Sequence, residues 1–304
     1  MSNTTKSNFF EKGSVNMLMG AFCLATMGAI TRKLGKQFSS VELVFFRNII
    51  GTTILTVSFF VKPITRQTGG KFGMLAFRGA IGTLSLFAFY YCLTKLHLAV
   101  ANTYNLTYPI FIGLISGFIL KHKLMPIHWF AILVGFTGVL FVFRPDFSFP
   151  LKFHLIGLFT GFGTAVGYIT ISKLNGFYER RIVVLSFLLT GLILSLISMS
   201  IGLFYQNPNL DFILAPFIMP VNSDWIWIFL MGCIALAGQT LITRAFSFGK
   251  PNVVGSINFM QIPFAMIYGI VLGDFFVDYL SFIGIVLIVG SGVLMILFSN
   301  KIAE

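Results

Sequence analysis

The stretch NTYNLTYPIF, residues 102–111, interrupts a long apolar run, and five of its first six residues carry a hydroxyl or an amide. Tyr108 and Pro109 follow directly. A proline inside a helix removes a backbone donor and clashes with the carbonyl four residues earlier. A second stretch, SINFMQIPFA at 256–265, has the same arrangement around Pro263, which follows Pro109 by 154 residues. Two related polar, proline-broken segments in one apolar chain indicate an internal duplication.

The composition of the chain indicates a membrane protein. Of its 304 residues, 57% are hydrophobic and only 10% are charged, whereas soluble domains have about a quarter charged residues. Apolar runs of about 20 residues are typical of helices that cross a bilayer, and the ~10-residue alternating segments of an outer-membrane barrel are not found. The net charge of +12 does not indicate nucleic-acid binding, because the basic residues lie between the apolar runs, where they orient a membrane protein. The lipid bilayer is therefore the expected partner.

The apolar runs predict ten transmembrane helices, at residues 14–32, 40–60, 72–94, 98–120, 126–143, 153–174, 182–204, 224–246, 252–272 and 279–298. Fourteen of the 21 Lys and Arg residues fall on the side of the N-terminus. This excess predicts a multi-pass protein of the cell inner membrane with both termini in the cytoplasm.

A second pair of matching segments supports the duplication. TGVL at 137–140 corresponds to SGVL at 291–294, again 154 residues later. Two halves of five spans each must insert with opposite orientations, as in many secondary transporters. The predicted fold is an all-α integral membrane protein with ten transmembrane helices, arranged as two inverted five-helix repeats around a central cavity. Its predicted segments are an N-terminal tail (1–13), the first repeat (14–143), a linker (144–152), the second repeat (153–298) and a C-terminal tail (299–304).

Polar side chains of the predicted spans are the candidates for substrate binding. Asn258 and Gln261 correspond to Tyr104 and Thr107 at the shared offset, so each half has polar groups on the same face before its proline. Such residues seldom face lipid, although they also link membrane helices by hydrogen bonds, and both interpretations stay open for each one. The predicted substrate-binding residues are Tyr104, Asn105, Tyr108, Asn258, Gln261, Tyr90, Tyr91, Gln239, Tyr168 and Arg47, and Pro109 and Pro263 are predicted to shape the cavity.

Arg47 has two alternative interpretations. Ser39 and Glu42 fit a capping box at the start of the second span, which explains Glu42 without a function. Arg47, five residues further along, either extends to the outer surface, which is the favoured alternative, or points inward to bind a substrate carboxylate or phosphate. Arg78 and Arg244 lie near the cytoplasmic ends of their spans and are predicted to extend to that surface.

Several functional classes lack the residues that they require. No carboxylate lies deep in a span, the four histidines have no metal-ligand spacing, and there is no Walker motif. We therefore predict no metal, no cofactor and no catalytic residue. The alternative is an integral-membrane enzyme that acts on a lipid-linked substrate, for which Asp274 and Asp278 are the nearest candidates.

The chain resembles the drug/metabolite transporter superfamily, specifically its EamA-like ten-helix type. The resemblance extends from Gly13 to Ser299 and depends on the two five-span halves and on three segments: SSVELVFFRNIIG (39–51), FRGAIGTLSLFAFYYCLTKLHLAVANTYNLTYPIF (77–111) and LITRAFSFGKPNVVGSINFMQIPF (241–264). It implies alternating access and a cavity lined by spans one, three, four, six, eight and nine.

These observations together predict a secondary active or exchange transporter for a small organic metabolite. The resemblance leaves amino-acid-like, nucleoside-like and vitamin-like substrates open. Coupling to a proton, exchange for a counter-substrate and facilitated diffusion also stay open, as do a monomer and a homodimer.

Overall fold

The computed structural model describes residues 3–64, 68–95, 98–118, 126–143, 150–205, 207, 210–221, 223–249, 251–271 and 279–298, and within them the main elements are helices joined by irregular connections. In chain order the helices are α1 (Asn3–Leu34), α2 (Ser40–Val61), α3 (Phe72–Lys95), α4 (Leu98–Asn105), α5 (Tyr108–Phe118), α6 (Pro126–Phe143), α7 (Leu151–Leu174), α8 (Arg180–Phe204), α9 (Asp224–Phe248), α10 (Pro251–Ile257), α11 (Gln261–Val271) and α12 (Tyr279–Phe298). A short 3₁₀ segment, Asn258–Met260, joins α10 to α11.

Six of these helices are long and apolar enough to cross a membrane: Lys12–Leu34, Ser40–Val61, Phe72–Leu93, Leu151–Leu174, Arg180–Phe204 and Asp224–Phe248. Each has at least 22 residues, which at 1.5 Å per residue matches a hydrocarbon core of about 30 Å. Shorter apolar helices occupy Pro126–Phe141, Val253–Tyr268 and Phe282–Leu294. The protein is therefore a multi-pass membrane protein.

The predicted fourth and ninth spans are each interrupted. The first interruption lies at residues 106–107, and the second is the 3₁₀ segment that ends at Met260. Pro109 cannot donate to the carbonyl of Asn105, the last residue of α4, and Pro263 cannot donate to that of Phe259. The backbone tightens instead, since the Thr107 N–H donates to the Tyr104 carbonyl three residues earlier, at 3.2 Å. Both breaks occur where the proline pattern predicts them.

The main helix contacts join the first half of the chain to the second half. Helix α1 packs against α9 and α11, α3 packs against α7, α2 packs against α8, and α6 packs against α12. Helix α5 packs against α7. The largest buried apolar cluster includes residues of α1, α5, α7, α9 and α12, so the core lies between the halves.

The N-terminus of α2 is fixed by the capping box that the sequence predicts. The Ser39 Oγ accepts from the Glu42 N–H at 3.2 Å, and the Glu42 carboxylate accepts from the Ser39 N–H at 2.9 Å. Glu42 also accepts from the backbone N–H of Ile218. Its role is therefore to anchor both α2 and the segment 210–221 at this end of the bundle.

Candidate functional site

A central cavity of about 70 Å³ lies between the two halves of the chain. Helices α1, α2, α3, α4, α7, α8 and α9 all contribute to its wall. The lining residues are Leu24, Met27, Arg47, Arg78, Gly82, Ser85, Leu86, Phe89, Asn105, Thr164, Gly167, Tyr168, Phe187 and Gln239. The wall includes α2 and α8, the second and seventh predicted spans, which the family resemblance does not imply as lining. It contains no residue of α10 or α11, which form the ninth predicted span that the resemblance does imply.

Arg47 points into this cavity and is only 2% exposed. Its Nη1 donates to Asn48 Oδ1 at 3.1 Å, and its Nη2 donates to Gln239 Oε1 at 3.4 Å. The guanidinium carbon lies 5.3 Å from the centre of the Phe187 ring, within cation–π range. The favoured prediction, that Arg47 extends to the outer surface, is therefore wrong. A side chain reaches the surface only from the last turns of a span, and Arg47 is a full two turns into α2.

Arg78 contributes a second buried guanidinium to the same wall. It is 2% exposed, and its guanidinium carbon lies 4.5 Å from the centre of the Phe187 ring. The prediction that Arg78 extends to the cytoplasmic surface is also wrong, although Arg244 is exposed. Space for the Arg78 group comes from Gly82, where a Cβ would clash with Arg78 Nη1 and lie 3.0 Å from Phe187.

The remaining polar residues of the wall come from both halves. The Ser85 hydroxyl of α3 donates to the Thr160 carbonyl of α7 at 2.8 Å and lies 2.9 Å from the Thr164 hydroxyl. Tyr168 of α7 stacks on Phe246, with the ring centres 4.4 Å apart. Asn105 lies at the end of α4, where Pro109 interrupts the helix. Polar side chains from both halves therefore reach a cavity whose wall is otherwise largely apolar.

Four of the predicted substrate-binding residues line the cavity: Arg47, Asn105, Tyr168 and Gln239. The other six lie outside its wall. Tyr90 donates to Met27 Sδ at 3.5 Å, Tyr91 donates to the Asp211 carboxylate at 2.8 Å, and Tyr104 bonds His154. Tyr108 donates to the Gly255 carbonyl at 3.0 Å, and Asn258 Nδ2 donates to Gln261 Oε1 at 3.1 Å. Their contact with substrate stays a prediction.

The structure adds residues that the sequence did not single out as substrate contacts. Arg78, Phe187 and Thr164 all line the cavity. A charged residue within an apolar run was the available signal for Arg78. For Phe187 there was no signal, because it is one of 37 phenylalanines.

A wider cavity of about 680 Å³, here called the basic vestibule, lies where α2, α7 and α9 end. Its wall includes four cationic residues, namely Lys62, Arg180, Arg181 and Arg244. The one carboxylate in the wall, Glu179, forms a salt bridge with Arg181. Thr240 of this wall directly follows Gln239 of the central cavity on α9. The two cavities are therefore neighbours along one helix.

Metal binding has no support in the described part of the chain, where no three His, Cys, Asp or Glu side chains group together. The three cysteines, Cys23, Cys92 and Cys233, are free. Asp274 and Asp278, the candidates for the alternative enzyme, lie outside the described residues.

Comparison with known proteins identifies transporters as relatives. An uncharacterized transporter of Helicobacter pylori is 30% identical over 285 residues, covering 92% of this chain and 93% of the relative. The pseudopaline exporter CntI of Pseudomonas aeruginosa is 24% identical and covers 93% of this chain and 95% of the exporter. Human solute carrier family 35 member G1 is 26% identical and covers 84% of this chain and 70% of the carrier.

The apolar helices and these relatives define a membrane protein that transports a small molecule. The EamA-like transporter family model matches residues 11–144. The chain belongs to the EamA-like transporter family, within the drug/metabolite transporter superfamily. A crystal structure of a protein that is 17% identical has a TM-score of 0.73 and covers the whole of both chains, so the two share a fold.

Proposed function

We propose that this protein is a secondary active or exchange transporter, which moves a small organic metabolite across the inner membrane by alternating access. The observation that carries the proposal is the central cavity, whose wall combines the polar side chains of Arg47 and Asn105 from the first half with those of Tyr168 and Gln239 from the second. Sites between the two halves are typical of transporters that rock one half against the other. The amino-acid-like, nucleoside-like and vitamin-like classes all remain candidates for the substrate.

The proposed architecture is ten transmembrane helices in two inverted repeats, 14–143 and 153–298, with a linker at 144–152 and short tails at 1–13 and 299–304. The helix contacts support it. In such a repeat, α1 corresponds to α7 and α3 corresponds to α9, so that the pairs α1–α9 and α7–α3 are related by a two-fold axis. Both pairs are among the main contacts of the bundle, and so are α2–α8 and α6–α12, whose members would be each other's equivalents.

Reciprocal contacts between α2 and α8 support the same axis. In the first two helices of each half the offset is 140 residues rather than 154, as the positions of Lys33 and Lys173 show. By this offset Gly51 corresponds to Gly191, and Asn48 corresponds to Leu188. A Cβ at Gly51 would lie 3.2 Å from the Leu188 side chain, and a Cβ at Gly191 would clash with Asn48. When two halves are related by a two-fold axis, a contact between two residues is repeated between the equivalents of those two residues.

The size of the central cavity fits one stage of an alternating cycle. A volume of about 70 Å³ is well below the roughly 300–1,000 Å³ of a typical ligand pocket and is too small for a metabolite. The basic vestibule, at about 680 Å³, is large enough for one. The halves must therefore separate around the central cavity before substrate enters it, and the broken helices α4–α5 and α10–α11 are where we expect part of that movement.

Transport into proteoliposomes tests the proposal. The purified protein is reconstituted, and uptake of a panel of amino acids, nucleosides, vitamins and organic acids is measured with an imposed proton gradient, without one, and with unlabelled substrate inside. A gradient-driven or exchange-driven uptake that protein-free vesicles lack is the expected result. Failure of every solute under all three conditions would count against a transporter. Replacing Tyr104, Asn258 and Gln261 together tests the predicted contacts, since unchanged transport would remove them from the site.

A further inference from the structure

The central cavity contains two positive charges and no negative one. Arg47 and Arg78 are both 98% buried, and no carboxylate of the described chain pairs with either of them. The nearest acid along the chain, Glu42, is bound to Ser39 and Ile218 at the end of α2. We propose that this cavity binds the acidic group of an organic anion between Arg47 and Arg78, and that such anions are the substrate class of the transport function proposed above.

The cost of burying two guanidinium groups is the first argument. A buried cation needs an opposite charge or a full set of hydrogen bonds. The protein supplies only part of this, namely contact with the Phe187 ring for both groups and two amide oxygens for Arg47. A ring quadrupole offsets a small part of such a cost. The compensation that remains to be supplied is negative charge.

The hydrogen-bonding groups around the cavity are the second argument, because those without a partner are donors. Arg47 Nε, Arg78 Nε and Arg78 Nη1 are buried without an acceptor. So is the amide nitrogen of Gln239, whose oxygen is occupied by Arg47. Four donor atoms without acceptors match a carboxylate or phosphate group, which only accepts.

The surroundings of the site agree with an anionic substrate. The basic vestibule beside the cavity has four cationic side chains and one carboxylate, which is already paired with Arg181. Clefts lined by one sign of charge concentrate ligands of the opposite sign. The same field, together with Arg47 and Arg78, disfavours cationic solutes.

The volume of the cavity limits what is bound in this conformation. About 70 Å³ accommodates an acidic group but not the carbon skeleton behind it. When the halves separate, Asn105, Tyr168 and Phe89 are the wall residues available to the organic part. The class is therefore organic carboxylates and phosphate esters that also carry an apolar or hydrogen-bonding portion.

Thermal unfolding of the purified full-length protein tests the site without requiring transport. Succinate, citrate, glutamate and glycerol phosphate are added at constant ionic strength, beside the neutral succinamide, the cation choline and chloride. At a hundredfold excess over Kd, we expect at least one organic anion to raise Tm by roughly 5 °C. Succinamide and choline should leave Tm unchanged. Arg47→Gln and Arg78→Gln should each weaken anion binding roughly 30-fold, as expected for the loss of one charged partner.

Matched variants separate a binding role from a structural one. Lys36→Gln removes an exposed positive charge at the opposite end of the bundle from the vestibule and should leave anion binding unchanged. Without ligand, Arg47→Gln and Arg78→Gln should keep or raise Tm, because each removes an uncompensated buried charge. If Arg78→Gln does not fold, Arg47→Gln and Arg78→Lys carry the test, and the lysine should bind anions more weakly because it lacks the planar fork.

Each remaining outcome is decisive. A full shift with chloride alone, to which organic anions add nothing, would assign the site to an inorganic ion and overturn the proposal. So would shifts with succinamide or choline that the arginine variants retain, or no shift with any anion. Anion binding without transport of any solute would contradict the proposed transport function but support the anion site. Transport of a neutral solute without anion binding would support the transport function but contradict the anion site.

Discussion

Phe187 is the residue that holds the central site together, because the guanidinium groups of Arg47 and Arg78 both lie over its ring, at 5.3 and 4.5 Å. The two arginines belong to adjacent helices, α2 and α3, while Phe187 belongs to α8. Two like charges are thus kept close by an aromatic face from the other half of the chain. The position of the arginines depends on the space that neighbouring residues leave for them.

Gly82 provides that space, so its replacement should impair the site more than the fold. In Gly82→Ala the new Cβ would clash with Arg78 Nη1 and approach Phe187 to 3.0 Å. We expect anion affinity, measured by thermal shift, to fall about tenfold, with a loss of stability of about 1–3 kcal/mol. The matched control is Gly28→Ala in α1, where nothing lies within 4 Å of the new Cβ. It should be neutral or stabilise by about 1 kcal/mol. Equal effects of the two variants would contradict this account.

Asp211 provides a pH test at the end of the bundle remote from the vestibule. Partial burial acts to raise the pKa of its carboxyl, but hydrogen bonds from Tyr91 and Lys152, with the charges of Lys152 and Lys95, outweigh it and lower the pKa. A lowered pKa means that the contribution to stability is complete above the unfolded value of about 3.9 and is lost as the pH falls through the folded pKa. Asp211→Asn should therefore lower Tm, and the difference from the unchanged protein should be the same at pH 7.5 and at pH 5. A difference that shrinks over that range would show that the contribution has another origin.

The residue scale is where the sequence predicted least. It identified Arg47 and Gln239 as candidates, and both line the cavity. It did not predict that Arg78 is buried, because position along a span suggests depth but not which neighbours leave room for a long side chain. The tyrosines at 90 and 91 show the same limit, since one is held by a methionine and the other by the segment 210–221.

Proline decides the form of two elements. Pro109 leaves the Asn105 carbonyl without its usual donor, and the helix is interrupted there. Pro263 has the same effect at Phe259, where a 3₁₀ segment replaces the α-helix. Both interruptions follow from the chemistry of one residue type, which explains why the sequence predicted them.

Replacing these prolines should make the helices more continuous and the transporter slower. Pro109→Ala and Pro263→Ala each restore a backbone donor, and in the interior of the continuous helix that would replace the break alanine is about 3 kcal/mol more favourable than proline. We expect Tm to stay equal or rise, and transport of the substrate found in the proteoliposome screen to fall about tenfold. Pro126→Ala is the control, because Pro126 opens α6, where a missing N–H has no effect on the helix. Unimpaired transport in both interior variants would show that the breaks are not part of the cycle.

Most other helix positions were predictable to within a few residues, although α1 begins at Asn3, well before the expected start of the first span at residue 14. The expected span 224–246 is α9, Asp224–Phe248, and the expected span 40–60 is α2, Ser40–Val61. Apolar length and capping chemistry are local properties, so the sequence contains them. Which helices pack together is not local, and the contact of α2 with α8 became clear only from the structure.

The whole molecule is proposed to have its N-terminus in the cytoplasm, and single cysteines test that orientation. In a background without Cys23, Cys92 and Cys233, Lys36→Cys lies in the exposed connection between α1 and α2, and Lys62→Cys lies just after α2. A membrane-impermeant maleimide should label position 36 in intact cells. It should label position 62 only in inverted vesicles. The opposite pattern would reverse the assigned orientation.

Arg47 and Arg78 both belong to the first half of the chain, on α2 and α3, and this has a consequence for how the substrate is held during transport. If the halves rock against each other, the acidic group of the substrate stays bound to the first half for the whole cycle. The second half then moves past the carbon skeleton of the substrate. The substrate then keeps one orientation relative to the first half, and no ion pair between substrate and protein has to be broken while the two halves change their relative position. Arg47→Gln and Arg78→Gln should accordingly raise the half-saturating concentration by the same factor from either side of the membrane.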